Sequence, residues 1–156
     1  MEALTLVASI LAALSGGIFY AFSSFVMGAL ARLERAEGIR AMQSINVVVI
    51  NPAFFVVFFG AGVAALAAVT GSFVGGDPSG RVAIVIGAAA YVLGCIGVTV
   101  VGNVPLNDRL AAIDADGPDA ASVWSTYLER WTIWNHVRTF FCVVAAVAFV
   151  IAARAG

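Results

Sequence analysis

Three polar side chains lie close together at the start of an apolar stretch near the C-terminal end of the sequence. In WTIWNHVRTFF, residues 131–141, these are Asn135, His136 and Arg138. His136 is the only histidine in the chain, and a neutral imidazole can act as a general base. A guanidinium or an amide can stabilise an oxyanion. The segment therefore indicates either a reactive site or the polar end of a membrane helix.

The composition predicts an integral membrane protein that forms a single domain over residues 1–156. Hydrophobic residues make up 62% of the chain and charged residues only 11%. No charged residue or histidine occurs in 3–31, 41–76, 82–107 or 139–153. A helix of about 20 apolar residues spans a bilayer with its backbone hydrogen bonds satisfied internally. We therefore expect an all-α fold, an integral membrane four-helix bundle.

Local signals indicate where the helices begin and end. Asn51 followed by Pro52 is typical of an N-cap and first helical residue, so the second span should begin there. Gly102, Asn103 and Pro105 together should stop the third span. The spans are predicted at about 4–30, 52–70, 82–102 and 131–153, with short interfacial helices at about 39–50 and 119–130 in the loops after the first and third spans.

The distribution of arginine predicts the orientation in the membrane. The loops 31–51 and 105–130 share one side of the bundle and hold five arginines, whereas the side with the GSFVGGDPSGR turn and both termini holds two. The positive-inside rule makes the first side cytoplasmic, in a plasma or bacterial inner membrane. The N-terminal run lacks a basic region before it and is interpreted as a retained first helix. The basic residues form no patch with interleaved aromatics, which excludes nucleic acid as a partner.

Nearly all of the polarity of the predicted spans maps to one end of the bundle, the end that carries these two loops. A closed bundle brings helix ends together, so these side chains should border a polar pocket. The set comprises Tyr20, Ser23, Ser24, Asn46, Asn51, Asn103, Asn107, Asn135, His136 and Arg138.

The fourth predicted span has two distinct faces at about 100° per residue. One face is large and apolar and should contact lipid. Asn135 lies near the centre of the opposite face, with Arg138 on one flank and His136 on the other. Residues two apart diverge on a helix, so His136 and Arg138 border one cavity only if it is wide. Otherwise one of them contacts a neighbouring helix or another protomer.

Structural roles compete with functional ones at these positions. Asn51 and Asn103 are suited to helix capping, and His136 to an interhelical hydrogen bond. Arg138 is close enough to the interface to snorkel to the headgroups. Trp124, Tyr127, Trp131 and Trp134 are typical of an interfacial aromatic belt, and Cys95 and Cys142 of small buried hydrophobes.

Four segments resemble the anthrone oxygenase family, a group of small four-helix membrane proteins. They are GGIFYAFSSFVMGALARLE, AMQSINVVVINPAFFVVFFGAG, GNVPLNDRLAAID and WSTYLERWTIWNHVRTFF. The resemblance covers about residues 15–145, and its most specific elements are Asn-Pro, Asn-x-Pro-x-Asn and Trp-Asn-His-x-Arg. It implies oxidation of a polyketide anthrone, a flat hydrophobic substrate, to an anthraquinone. Molecular oxygen is then the co-substrate, with no organic cofactor.

The resemblance also suggests roles for individual residues. By this hypothesis His136 is the base that removes a proton from the activated methylene, and the resulting anion reduces dioxygen. Arg138 and the asparagines would stabilise the oxyanion while aromatic rings stack on the substrate. No metal ligand set is predicted. The substrate-binding residues are Tyr20, Asn51, Asn103, Asn107, Trp131, Asn135 and Arg138.

Two other functions fit the same pattern. The polar end could be a hydrogen-bonded plug in a non-enzymatic membrane subunit or assembly protein, in which Asn51, Asn103 and Asn135 would bond one another and leave no cavity. A small-molecule carrier is a weaker alternative, because no polar path crosses the bundle. A homo-oligomer or a larger membrane complex is compatible with the Gly/Ala-rich third span.

Overall fold

The chain folds as a helical bundle in which long apolar helices pack side by side. The computed structural model describes residues 2–75 and 80–155, and in these ranges it is all-helical without strands. Four helices are long and apolar enough to cross a membrane, which confirms the predicted fold class. Residues 76–79 of the predicted GSFVGGDPSGR turn lie outside the described ranges. The helices are α1 (Glu2–Leu30), α2 (Arg35–Val48), α3 (Pro52–Val74), α4 (Arg81–Ala111) and α5 (Ala120–Ala155).

The start of α3 follows the prediction. Asn51 precedes Pro52, and its side-chain oxygen accepts a hydrogen bond from the Phe54 backbone N–H at 3.0 Å. Its amide nitrogen donates to the Val48 carbonyl at 2.9 Å, which ties the end of α2 to the start of α3. Asn51 is thus a helix cap at the junction between the two helices. The helix predicted at 39–50 is present as α2, which begins at Arg35.

The predicted end of the third span at Gly102 was wrong, because α4 continues to Ala111. Proline breaks an α-helix by removing a donor and by clashing with the carbonyl four residues earlier. Pro105 does not break α4, because residues Thr99–Asn103 just before it form a wider π-helical turn. In this turn the Val104 N–H donates to the Thr99 carbonyl. Pro105 then lies in the first turn of the next α-helical stretch, where it is tolerated.

The predicted interfacial helix leads into the fourth span without a break. The interfacial helix expected at 119–130 and the span expected at 131–153 form one continuous helix of 36 residues, α5. No glycine or proline interrupts this sequence. Its first half is buried as well, because Trp124, Tyr127 and Trp131 stack in a row with ring centroids 5.8 and 5.7 Å apart. These three side chains form an internal ladder rather than an interfacial belt.

Small residues on α4 receive aromatic side chains from α5. A Cβ added at Gly94 would lie 2.2 Å from Cγ of Phe141, and one at Gly102 would lie 2.7 Å from the ring of Trp134. Near the other end of the bundle, a Cβ added at Gly87 would lie 3.0 Å from the ring of Phe149. Steric room for these rings exists only because the α4 positions lack side chains. This confirms that the glycines of the third span allow close helix packing.

The two ends of the bundle have different cores. The main core lies among α1, α3, α4 and α5 and is built from alanines with Phe19, Phe58, Tyr91 and Phe149. The second core lies at the polar end, where α2 and the start of α5 bury Ile39, Met42 and the aromatic ladder.

Placement of this end in the cytoplasm, and assembly into oligomers, stay predictions.

Gly94→Ala should destabilise the bundle, although alanine is the better helix former. The added methyl collides with Phe141, and overpacking of this kind costs about 1 to 3 kcal/mol. Gly97→Ala on the same helix is the matched control, since its Cβ would only meet the Val92 carbonyl at 3.6 Å. Thermal unfolding in detergent should give a lower Tm for Gly94→Ala alone. Equal Tm values for both variants would contradict the proposed packing.

Candidate functional site

Asn135 connects α5 to α1 at the centre of the polar end. Its side chain is fully buried, and its amide nitrogen donates to the Phe19 carbonyl and to Ser23 Oγ, each at 2.7 Å. Its side-chain oxygen accepts from Arg138 at 2.7 Å. The Phe19 carbonyl lies just before the π-helical turn of α1, Phe22–Val26. Asn135 thus holds this turn against α5 and fixes one side of the arginine.

Arg138 is a buried cation within the bundle and does not snorkel. Its side chain is 5% exposed, and its guanidinium donates to Asn135 and, at 3.4 Å, to Thr99 on α4. The guanidinium carbon lies 4.1 Å from the centroid of the Phe19 ring and 5.1 Å from that of Trp131. Such cation–π contacts contribute about 2 kcal/mol when desolvated. No carboxylate in residues 2–75 or 80–155 lies within 4 Å of Arg138.

A cavity of about 290 Å³ lies beside Arg138, near the lower limit for small-molecule sites. Aromatic and aliphatic side chains form most of its wall. Polar atoms come from Arg138, Thr99, Asn46 and Asn107. The lining residues are Ile18, Phe19, Phe22, Met42, Ile45, Asn46, Val49, Ile50, Phe54, Phe55, Phe58, Phe59, Ile96, Thr99, Val100, Val104, Asn107, Trp131 and Arg138.

Asn107 anchors the aromatic ladder at the edge of this cavity. Its side-chain oxygen accepts hydrogen bonds from the Tyr127 hydroxyl and from Nε1 of Trp131, both at 2.8 Å. The Tyr127 hydroxyl in turn accepts from Asn46 Nδ2 of α2 at 3.3 Å. This chain of bonds joins α2, α4 and α5. It also fixes the plane of the Trp131 ring against Arg138.

Asn103 supports Trp131 from behind the cavity wall. It is fully buried and donates from Nδ2 to the Trp131 carbonyl at 3.2 Å. Its side-chain oxygen and Nε of Arg138 are buried without a hydrogen-bond partner among the described residues. A buried donor without a partner costs about 1 to 3 kcal/mol. Both atoms are enclosed by protein, so it is the rest of the Arg138 side chain that borders the cavity.

His136 lies on the opposite side of α5 from Arg138. It is exposed on the bundle surface and lines a shallow groove between α1 and α5. Tyr20, which is 62% exposed, lies in the same groove and not in the cavity. His136 and Tyr20, two of the eight predicted site residues, thus lie in a groove on the other side of α5 from the Arg138 cavity. The groove is lined by Tyr20, Ser23, Ser24, His136, Thr139 and Phe140.

The other predicted site residues divide between cavity and scaffold. Trp131, Asn107 and Arg138 line the cavity, while Asn103 and Asn135 lie behind its wall and Asn51 caps α3. Asn51, Asn103 and Asn135 bond separate partners rather than one another, and a cavity is present. The arrangement required for a hydrogen-bonded plug is therefore not found.

Sequence reasoning missed Thr99 and the phenylalanines of α1 and α3. A signal for Thr99 existed, because Tyr91, Cys95, Thr99, Asn103 and Asn107 recur at every fourth position. Four residues make slightly more than one α-helical turn, so such a row drifts by about 40° per step. The π-helical turns at Ala90–Gly97 and Thr99–Asn103 are wider and compensate for part of this drift. The whole row therefore stays buried or half-buried.

Metal-binding chemistry has no ready-made site in the part of the chain that the structure describes. No group of three or more His, Cys, Asp or Glu side chains comes together there. Cys95 and Cys142 are free and buried in the main core.

Comparison with known proteins identifies one family. A family model described as anthrone oxygenase matches residues 53–148, more than half of the chain. The matched region contains nearly all of α3, all of α4 and most of α5, and therefore Thr99, Trp131 and Arg138. No curated protein and no solved structure matches the chain.

Asn135→Ala should destabilise the protein more than a surface substitution nearby. It removes two donated bonds to α1 and leaves an Arg138 donor unpaired, and a buried group without its partner costs about 1 to 3 kcal/mol. Ser24→Ala is the control, because Ser24 is exposed and bonds only within its own helix. Thermal unfolding should show a clear loss of Tm for Asn135→Ala. A loss no larger than that of the control would overturn the bridging role of Asn135.

Proposed function

The chain belongs to the anthrone oxygenase family, and from this premise we propose that it oxidises a flat aromatic anthrone with dioxygen in the Arg138 cavity. The family assignment supplies the reaction class. The observation that carries the location is a buried guanidinium on the wall of an aromatic cavity, with no carboxylate partner among the described residues. Such a site is complementary to a flat molecule that carries a negative charge on oxygen.

The reaction requires little of the protein beyond stabilisation of an anion. The anthrone methylene loses a proton, and the negative charge delocalises onto the ring oxygen as a phenolate-like anion. The electron-rich anion passes electrons to dioxygen and forms a carbon–oxygen bond. Loss of water then leaves the quinone carbonyl, so one anthrone and one dioxygen give one anthraquinone and one water. The rate rises with the fraction of bound substrate that is ionised.

Arg138 is the group proposed to favour this ionisation. Its charge acts in a surrounding of low polarity, where electrostatic interactions are stronger than in water. Asn135 and Thr99 hold the guanidinium, and the Phe19 and Trp131 rings restrict its movement. Phe54 and Phe58, whose rings stack with centroids 5.4 Å apart, offer an aromatic surface for a flat substrate. The proton is proposed to leave to water.

His136 is not part of this proposal for the cavity. The role of His136 as base stays a prediction, and it requires a substrate in the outer groove beside Tyr20. The two placements of the substrate differ in which variant loses activity, so they can be separated by experiment.

Arg138→Met should lower the rate of anthrone oxidation by about 100-fold, the usual effect of removing one oxyanion-stabilising group. Arg138→Lys keeps the positive charge but loses the planar fork of N–H donors, so its rate should lie between those of the wild type and Arg138→Met. Arg130→Met is the control, since Arg130 lies two turns earlier on α5 and is exposed. Oxygen uptake by purified protein measures the rate, and thermal unfolding checks the fold. Wild-type turnover by folded Arg138→Met would refute the cavity reaction.

His136→Ala should retain a rate within about threefold of the wild type, because its side chain lies across α5 from the cavity. The same oxygen-uptake assay applies. Loss of turnover in folded His136→Ala, together with retention in Arg138→Met, would place the reaction in the outer groove instead.

A further inference from the structure

The cavity is closed toward the aqueous end of the bundle by α2. Gln43 of α2 donates to the Leu110 carbonyl in the last turn of α4 at 2.8 Å and to the Ile113 carbonyl just beyond it at 3.2 Å. Arg40 forms an ion pair with Asp116 in the loop between α4 and α5. The α2 side chains Ile39 and Met42 point into the bundle and are buried, with 0% and 1% exposure. A ligand coming from water would therefore have to displace a bonded and packed helix.

The side of the cavity is open instead. The close packing between α3 and α4 runs along Arg81–Gly97 and does not extend over Thr99–Asn103, so the two helices separate where the cavity lies. The residues at this gap line the cavity and are also exposed on the outer surface of the spans. Their exposures are 40% for Phe55, 49% for Phe59, 60% for Val100 and 39% for Val104.

We propose that this gap is a lateral portal through which a flat, neutral aromatic substrate passes from the lipid phase to Arg138. The inference rests on the proposed function for the identity of the ligand. The four portal side chains present only hydrocarbon, and crossing such a rim is costly for a charged molecule. The portal therefore selects the un-ionised anthrone. The negative charge develops only after the ligand reaches the guanidinium.

The gap also explains why its rim stays apolar while the far wall of the cavity is polar. Val100 and Val104 lie on the outer side of α4, whereas Thr99 faces Arg138 from the same helix. A ligand passing between the rim residues thus moves from a surface that excludes charge to one that binds it. This ordering is a device for specificity, because a polar molecule of the same shape is excluded before it meets the arginine.

Narrowing the portal tests the proposal by the kinetics of binding. The probe is dihydroxyanthraquinone, and stopped-flow quenching of tryptophan fluorescence in detergent micelles reports its binding near Trp131. Val100→Phe and Val104→Phe should each slow association at least tenfold. Val101→Phe is the matched control, since Val101 is the neighbouring residue, is 71% exposed and does not line the cavity.

A further variant tests the aqueous route. Gln43→Ala removes two bonds that hold α2 in place and should leave association unchanged if the ligand passes between α3 and α4. Faster association in Gln43→Ala, or rates in Val100→Phe and Val104→Phe equal to those of Val101→Phe, would overturn the portal while leaving the proposed function intact. Failure of the wild-type protein to bind the probe would overturn both.

Discussion

The buried guanidinium of Arg138 is the constraint around which the polar end of this bundle is organised. An arginine within a membrane span costs about 2.5 to 3.5 kcal/mol near the bilayer centre unless its charge is compensated. Here no described carboxylate compensates it, so the compensation comes from amide and hydroxyl dipoles and from ring faces. Asn135 and Thr99 accept its hydrogen bonds, and Phe19 and Trp131 cover it. Because these groups come from α1, α4 and α5, holding the cation in place also holds three helices together.

The geometry of α4 makes this arrangement compatible with close packing. Its glycines admit Phe141 and Trp134 from α5, while its π-helical turns keep a row of polar residues on the inner side. A regular α-helix would carry Thr99 and Asn103 progressively around the surface, and Pro105 would break it. The local widening serves both needs, because it turns Thr99 toward Arg138 and allows the helix to continue past Pro105 to Asn107. Asn107 can then anchor Trp131, which lies against the guanidinium.

Much of this architecture could be predicted from the sequence, because it follows from patterns of residue types along the chain. Uncharged stretches locate the spans, Asn51-Pro52 locates a helix start, and the 100° periodicity places Asn135 at the centre of the inner face of α5. The extension of α4 could not be predicted, since Pro105 and Gly102 favour an end and only the local π-helical widening overrides them. The separation of His136 from Arg138 was left open by the sequence, because it depends on where α1 packs against α5. The phenylalanines of the cavity wall were likewise undetectable in a chain where apolar residues are everywhere.

The central claim is that the cavity binds a flat aromatic molecule as an anion because Arg138 lies on its wall. The most direct test is the visible absorption spectrum of dihydroxyanthraquinone bound to the protein, since ionisation of such a phenol shifts its absorption to longer wavelength. At a pH where the free probe is neutral, the wild-type protein should show the shifted band and Arg138→Met should bind the probe with the neutral spectrum. A neutral spectrum on the wild-type protein, or a shifted band that survives Arg138→Met, would contradict this account.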